Sequence, residues 1–351
     1  MRKILLPREC ASMHRYRANL HAHTILSDGE KTPEGLKTFY KAHGYSILAI
    51  TDHDLFIPHN DLSDKDFLLL NGYELDVNGA NKMTCHMCLI AEKPDTDTDI
   101  FYHRTKYIPD FYGKAFGNIP NVRGFVKFDE SKPDYEREYT PECISDMMTT
   151  ASKNGFFVTY NHPTWSTESY PQYINYTGMD AMEISNYNCV VTGFDEHNSH
   201  CYDDFLRANK RIYCIAADDN HNHRGDDTAE CDSFGGCTVI CAEALEYEKI
   251  TSALKNGMFY ATTGTSIHRG PEIKSIEYDD GKVFVEASDA KNIICVVYPR
   301  QYGFINADYG KTVNSAEFTV GNDSVYFRIV VTDSEGYKAY SNAYFIDDLQ
   351  K

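Results

Sequence analysis

Short apolar runs alternate with amphipathic stretches through the first two-thirds of the chain. Runs at 18–20, 47–51, 67–70, 86–91, 156–160, 181–184 and 212–216 have the length and composition of strands. Thr32-Pro33-Glu34 and Thr140-Pro141-Glu142 each predict a helix start. In both, Thr caps, Pro suits the first helical position and Glu complements the positive end of the helix. Leu36, Phe39 and Tyr40 mark the buried face of the first helix, and Ile144, Met147, Met148 and Ala151 that of the second. Gly44 and Gly155 stand where left-handed C-terminal caps belong. A third helix is expected over 242–256, closed by Gly257. Strands alternating with helices predict parallel pairing, and the length suits a closed β/α barrel over residues 1–269.

Two stretches break this rhythm. Residues 92–139 are polar and aromatic and too long for an ordinary connection, so they read as an insertion, either a lid or a surface excursion. After His268-Arg269-Gly270-Pro271 the pattern becomes strand only. Runs at 273–278 and 282–287 flank the turn Asp279-Asp280-Gly281, and further runs follow at 293–298, 316–320, 326–332 and 337–343. Residues 270–351 are therefore expected to form a small immunoglobulin-like β-sandwich with an accessory role.

The formal net charge of −18 argues against nucleic acid as the main partner, because phosphate backbones select basic faces. It leaves room for a small phosphorylated molecule, since clustered cations override a global field locally. No apolar run approaches the length of a membrane span, and the first residues lack the apolar stretch of a signal peptide. The 11 cysteines, without an export signal, read as reduced thiols of a cytoplasmic protein. Cys85-His86-Met87-Cys88 has no second CxxC to complete a zinc knuckle, and reads as a buried strand carrying one functional His.

Chemistry concentrates at the ends of the predicted strands. The first is followed by His21, His23 and Asp28, the second by Asp52-His53-Asp54, and the third leads to Glu74. The strand at 156–160 ends in Asn161-His162-Pro163, and that at 212–216 in Asp218-Asp219-Asn220-His221. In a parallel barrel these ends converge on one face, so the side chains are expected to share a pocket and to bind metal. His86 opens its run instead of ending it, which suggests a strand pairing back against the Glu74 segment. Glu183 also sits at a strand end, where a structural role is expected. Imidazole mixed with carboxylate favours zinc, manganese or iron over magnesium or calcium.

Taken in order, His21-Ala22-His23, Ser27-Asp28-Gly29, Thr51-Asp52-His53, Glu74, His86, Asn161-His162-Pro163 and Asp219-Asn220-His221 resemble the PHP superfamily, the polymerase and histidinol phosphatase metal-dependent phosphoesterases. The segment Asn256-Gly257-Met258-Phe259-Tyr260-Ala261-Thr262-Thr263-Gly264, followed by a terminal β domain, looks like the branch of carbaryl-hydrolase-like metallohydrolases. The resemblance implies a distorted seven-stranded β/α barrel holding two to three divalent metals. By its pattern His21, His23, Glu74 and Asp219 hold the first ion. Glu74 bridges to a second held with His86 and His162. Asp28, His53 and His221 hold a third. Asp28 stands where many members carry His, which alters the strength or metal preference of that site. Asp219 rather than Asp218 has the Asp-x-His spacing to His221, leaving Asp218 behind it.

The expected reaction is hydrolysis of a small phosphomonoester by a metal-activated hydroxide. Asp218, His197 and His223 are candidates to protonate the leaving oxygen. Arg224 is the best placed cation for phosphate, with Arg104, His103 and Arg123 in the insertion as alternatives. An amide or carbamate hydrolase with the same metals is the alternative, because the ligand set serves either bond.

Overall fold

A computed structural model describes residues 2–80 and 82–351, without the side chain of Gln301. The fold is mixed α/β. The amino-terminal strand β1 (Lys3–Leu6) is followed by β2 (His14–Asn19), β3 (Ile47–Ile50), β4 (Leu68–Asn78), β5 (Thr84–Ala91), β6 (Phe156–Tyr160), β7 (Ala181–Asn186), β8 (Tyr213–Ala217), β9 (Gly236–Ala242) and β10 (Phe259–Thr263). The later strands are β11 (Ile273–Asp279), β12 (Lys282–Ala290), β13 (Asn292–Tyr298), β14 (Gln301–Asn306), β15 (Val313–Thr319), β16 (Tyr326–Thr332), β17 (Lys338–Ser341) and β18 (Tyr344–Phe345).

Helices α1 (Pro33–Ala42) and α2 (Pro141–Lys153) start at the expected caps, where Thr32 and Thr140 accept the amides of Gly35 and Cys143. Gly44 and Gly155 carry the positive φ that ends each helix. Three short helices follow: α3 (Tyr170–Tyr173), α4 (Tyr187–Val191) and α5 (Ser199–Arg207). The helix anticipated from 242 begins later, as α6 (Tyr247–Lys255).

Strands β2, β3 and β4 pair in parallel, as do β6, β7 and β8. Between the two sets β5 runs antiparallel to both neighbours. The general expectation of parallel pairing fails at β5, which pairs back against the Glu74 strand as the place of His86 at the start of its run suggested; β4 and β5 are joined by a short connection that only antiparallel strands allow. The β2–β8 part of the sheet curls back on itself, with Ala22 and Asn220 forming a parallel bridge and Asp219 N donating to His21 O at 2.9 Å. The chain segments after β2 and after β8 therefore lie side by side.

Strands β9 and β10, which the apolar pattern did not single out, continue the same sheet antiparallel from β2. Through β10 and β17 it runs on into β16, β13 and β14. A second sheet, ordered β1-β11-β12-β15, contains both the first strand and three late ones. Val283, Val285, Phe318, Ile293, Cys295 and Ile329 from the two layers share one apolar core, which also includes Leu36, Tyr40 and Leu48 beside β3. Burial of these faces, at roughly 25 cal/mol per Å² of apolar area, holds the two parts of the chain together.

Candidate metal centre

Strand geometry explains how distant residues reach one point. Glu74 and Asp76 are two apart on β4 and so project to one face. His86 lies directly opposite Asp76 in the β4–β5 pair, so the first turns of β5 are brought to the carboxylates of β4. His53 follows β3 and bridges to Glu74. His162 and Asp219 follow β6 and β8 with φ of 25° and 53°, left-handed conformations that cost about 1–3 kcal/mol each in a non-glycine residue. Such strain clustered at one place is a mark of a functional site.

All nine predicted metal-binding residues come together. His21 Nε2 is 3.2 Å from Glu74 Oε2 and 3.1 Å from Asp219 Oδ1. His23 Nε2 is 3.5 Å and 2.9 Å from the same two oxygens. His86 Nδ1 and His162 Nε2 are 3.3 Å and 3.2 Å from Glu74 Oε1. Asp28 lies 3.7 Å from His23, 3.7 Å from His53 and 3.5 Å from His221. The donors gather into compact sets: His21, His23, Glu74 and Asp219; His23, Asp28, His53 and His221; and His53, Glu74, Asp76 and His86. His86 thus groups with Asp76, whereas His162 groups with His21 and Glu183.

These residues fit divalent metal. Two donors each about 2.1 Å from a shared tetrahedral ion are about 3.4 Å apart, the spacing seen here. His21 Nε2, His23 Nδ1 and His86 Nδ1 are buried without a hydrogen-bond partner. An orphaned buried nitrogen is costly unless a ligand takes it.

Carboxylates and amides hold the donors in place. Glu183 Oε1 accepts from His21 Nδ1 at 2.7 Å, leaving Nε2 to face Glu74 and Asp219. Asn161 Nδ2 donates to Glu74 Oε1 at 2.9 Å, and Asn186 Nδ2 donates to Asp219 Oδ2 at 3.1 Å. Asp52 accepts from Thr24 N, Thr24 Oγ1 and Ser27 Oγ, all at 2.7 Å, and so pins the loop that carries His23 and Asp28. Burial pushes the Glu74 and Asp28 carboxyls up, but the surrounding histidines outweigh it and hold both below the usual carboxylate range. His162 goes the other way: burial lowers it, yet the Glu74 contact carries it up to about 9.

The donors open into a cleft of about 670 Å³, whose lining includes Asp28, Glu74, Asp219, Tyr112, Trp165 and the cations Lys82 and Arg224. Arg224 reaches it as expected, with Nη1 donating to Asn188 Oδ1 at 3.1 Å. His223 is at the rim, its Nε2 2.6 Å from Asp28 O. The insertion supplies one wall: Tyr112 stands over His53 with ring centroids 6.4 Å apart. It packs there through Ile108, Tyr112, Val122 and Val126 against Leu26 and Leu55.

Five of the expected participants are elsewhere. Asp218 is buried, with Tyr40 Oη, Phe234 N and Gly236 N all donating to its carboxylate at 2.7 Å. Burial pushes it up to about 7, but its partners leave no oxygen directed at the cleft. His197 faces a separate cavity between β7 and the turn before β17, its Nδ1 3.3 Å from Ser185 Oγ. Arg104 is occupied within the insertion by Asp134, Glu130 O and Lys132 O. Arg123 is likewise bound to main-chain oxygens of the insertion, and His103 to Glu136.

Sequence reasoning missed Asp76 and Arg137. Asp76 carried a usable signal, the Glu-x-Asp spacing on a strand. Arg137 carried none, since it comes from the irregular insertion to donate to Asp54 Oδ1 and Asp76 O.

No family model matches the chain, and no curated protein matches it. Solved structures give distant likenesses. One is a two-domain protein from Bacteroides vulgatus containing a predicted PHP-like metal-dependent phosphoesterase, at 15% identity and a TM-score of 0.44, covering 98% of this chain and 97% of that one. Another is an amidohydrolase from Chromobacterium violaceum with bound sulfate and no metal, at 15% identity and a TM-score of 0.40, covering 60% of this chain and 89% of that one.

Proposed function

We propose that the chain is a metal-dependent hydrolase of the PHP type, with β2–β8 as its distorted seven-stranded β/α barrel, and that it cleaves a small phosphomonoester. The observation that carries the reading is the grouping of His21, His23, Asp28, His53, Glu74, His86, His162, Asp219 and His221 at the mouth of one cleft, with Glu74 central to it. His21, His23, Glu74 and Asp219 would hold one ion, Glu74 with His86 and His162 a second, and Asp28, His53 and His221 a third. The ions fitting this donor chemistry are zinc, manganese or iron. When bound, they supply Lewis acidity and a water of lowered pKa.

The protein's own residues do the rest. Glu183, Asn161 and Asn186 fix the directions of His21, Glu74 and Asp219, so the site needs no rearrangement on binding its substrate. Arg224 and Lys82 supply positive charge to a cleft that also carries five carboxylates, which favours a phosphate dianion over a neutral carbonyl compound. Trp165, edge-on to His86 and His162, gives the organic part of the substrate an apolar surface. His223, at the rim, is the cleft-facing residue left to protonate the leaving oxygen. We place the activity in the cytoplasm.

The test is hydrolysis by protein of known metal content across phosphomonoesters and matched amides and carbamates. Phosphate release that disappears on chelation and returns with zinc, manganese or iron supports the reading. Cleavage of carbonyl substrates alone moves the chain to an amidohydrolytic function with the same residues.

A further inference from the structure

We propose that Asp76 is a positioning carboxylate shared by two metal-binding histidines, His53 and His86, that serve different ions. The inference rests on the metallohydrolase reading above. Asp76 Oδ1 is 3.1 Å from His53 Nδ1 and 3.5 Å from His86 Nε2. The opposite nitrogens of the two rings face different carboxylates. His53 Nε2 is 3.7 Å from Asp28 Oδ2, while His86 Nδ1 is 3.3 Å from Glu74 Oε1. The second of these is buried and unpartnered, as a nitrogen reserved for an ion would be.

A neutral imidazole has one N–H and one lone pair, so the acceptor on one side decides which nitrogen can ligate. His53 Nδ1 is hydrogen-bonded to Asp76 Oδ1, with Glu74 Oε2 also 3.2 Å away, so His53 keeps Nε2 for the ion beside Asp28 and His221. His86 Nε2 faces the same Asp76 oxygen and would donate to it once an ion draws the ring in. His86 keeps Nδ1 for the ion beside Glu74. The carboxylate is held from behind: its main-chain oxygen accepts from buried Arg137 Nη1 at 2.9 Å, and strand pairing sets it opposite His86. One fixed group thereby orients ligands of two ions, and either ion, by ordering Asp76, prepares the position of the other.

The experiment titrates metal-free protein with zinc or manganese against a competing chelator, in the wild type, Asp76→Asn and His86→Ala. The expected result is that Asp76→Asn binds as many ions at saturation as the wild type, with affinity lowered about 10–100-fold at two positions together. His86→Ala is expected to lose one ion. Loss of a whole ion in Asp76→Asn would make Asp76 a ligand and overturn the proposal, as would unchanged affinities or weakening at one position alone. A second measurement needs no variant: nitrogen–proton NMR of the zinc-loaded wild type should show His53 protonated at Nδ1 and His86 at Nε2, and the opposite tautomers overturn the assignment. Failure of the wild type to bind any ion would overturn the metallohydrolase reading itself, before Asp76 is tested.

Discussion

Arg137 and Asp54 meet at 2.5 Å between Nη1 and Oδ1, and both side chains are 4% exposed. The pair joins the end of the insertion to the loop after β3 that carries His53. Arg137 also lies over the Tyr107 ring at 4.1 Å. Removing one partner of such a pair leaves an uncompensated buried charge. Arg137→Met is therefore expected to cost about 3–5 kcal/mol in urea unfolding, and Asp54→Asn added to it should recover part of the loss. An Arg137→Met midpoint equal to that of the wild type would show that the insertion is not anchored through this contact.

Glu74 touches His21, His23, His53, His86 and His162, so its neutralisation should be felt by more than one ion. Glu74→Gln is expected to lower bound metal by more than one equivalent and to reduce turnover by roughly 10²–10³-fold. Elemental analysis after gel filtration gives the first number and steady-state rates the second. Loss of one equivalent only would limit Glu74 to a single ion.

Arg224 is expected to contribute to substrate affinity without touching the ions. Arg224→Ala should raise KM for a phosphomonoester about tenfold or more, the scale of one charge-assisted hydrogen bond, with metal content unchanged. Kinetics identical to the wild type would remove Arg224 from phosphate recognition.

Gly29 lies against the His23 main chain, where a Cβ would come within 2.4 Å of His23 O. The backbone there cannot yield without moving His23 and Asp28 together. Gly29→Ala is predicted to weaken binding at the Asp28, His53 and His221 position more than at the Glu74 positions. Chelator competition measures this directly, and equal weakening everywhere would point to general unfolding instead.

Asp99 gives a pH dependence separate from the metal centre. Burial pushes its carboxyl up to about 6, against the hydrogen bonds from Phe101 N at 2.7 Å and Tyr73 Oη at 3.1 Å. With a folded pKa above the unfolded one, the native state holds the extra proton between pH 4 and 6, so this group's contribution to stability falls as pH rises through that window. Asp99→Asn keeps a carbonyl oxygen for both donors and cannot ionise. The stability of the wild type relative to Asp99→Asn should therefore decline from pH 4 to 6 and level off above. A difference independent of pH would mean that Asp99 titrates normally.

Much of the fold could be read locally. Caps at Thr32 and Thr140 and apolar runs such as Phe156–Tyr160 depend on residues within a few positions of one another, and the structure places these elements within a residue or two of expectation. The reversed direction of β5 was signalled by His86 opening its run, but the joining of β9 to β2 and of β10 to β17 depends on pairing between distant segments, which no local pattern encodes. Lys3–Leu6 went unread for the same reason, since its partner is β11.

By itself, the sequence determined which side chains gather in the cleft as candidate metal donors. His-x-His, Asp-x-His and the His or Asp that follows a strand are chemistry carried by short motifs, and strand ends that converge need no knowledge of register to bring them together, whereas Glu74 and His86 lie within β4 and β5 and meet through their register. Only the tertiary structure decided what each neighbouring polar group does. Asp218 adjoins Asp219 in sequence, yet it is turned to Tyr40 and the Phe234 and Gly236 amides. Arg104 and His197 have suitable chemistry but are held by other partners, while Asp76 and Arg137 enter the centre unannounced. The reason is physical: a side chain's role follows from which charges and donors surround it, and those neighbours are set by strand register and by an insertion folding back across the chain.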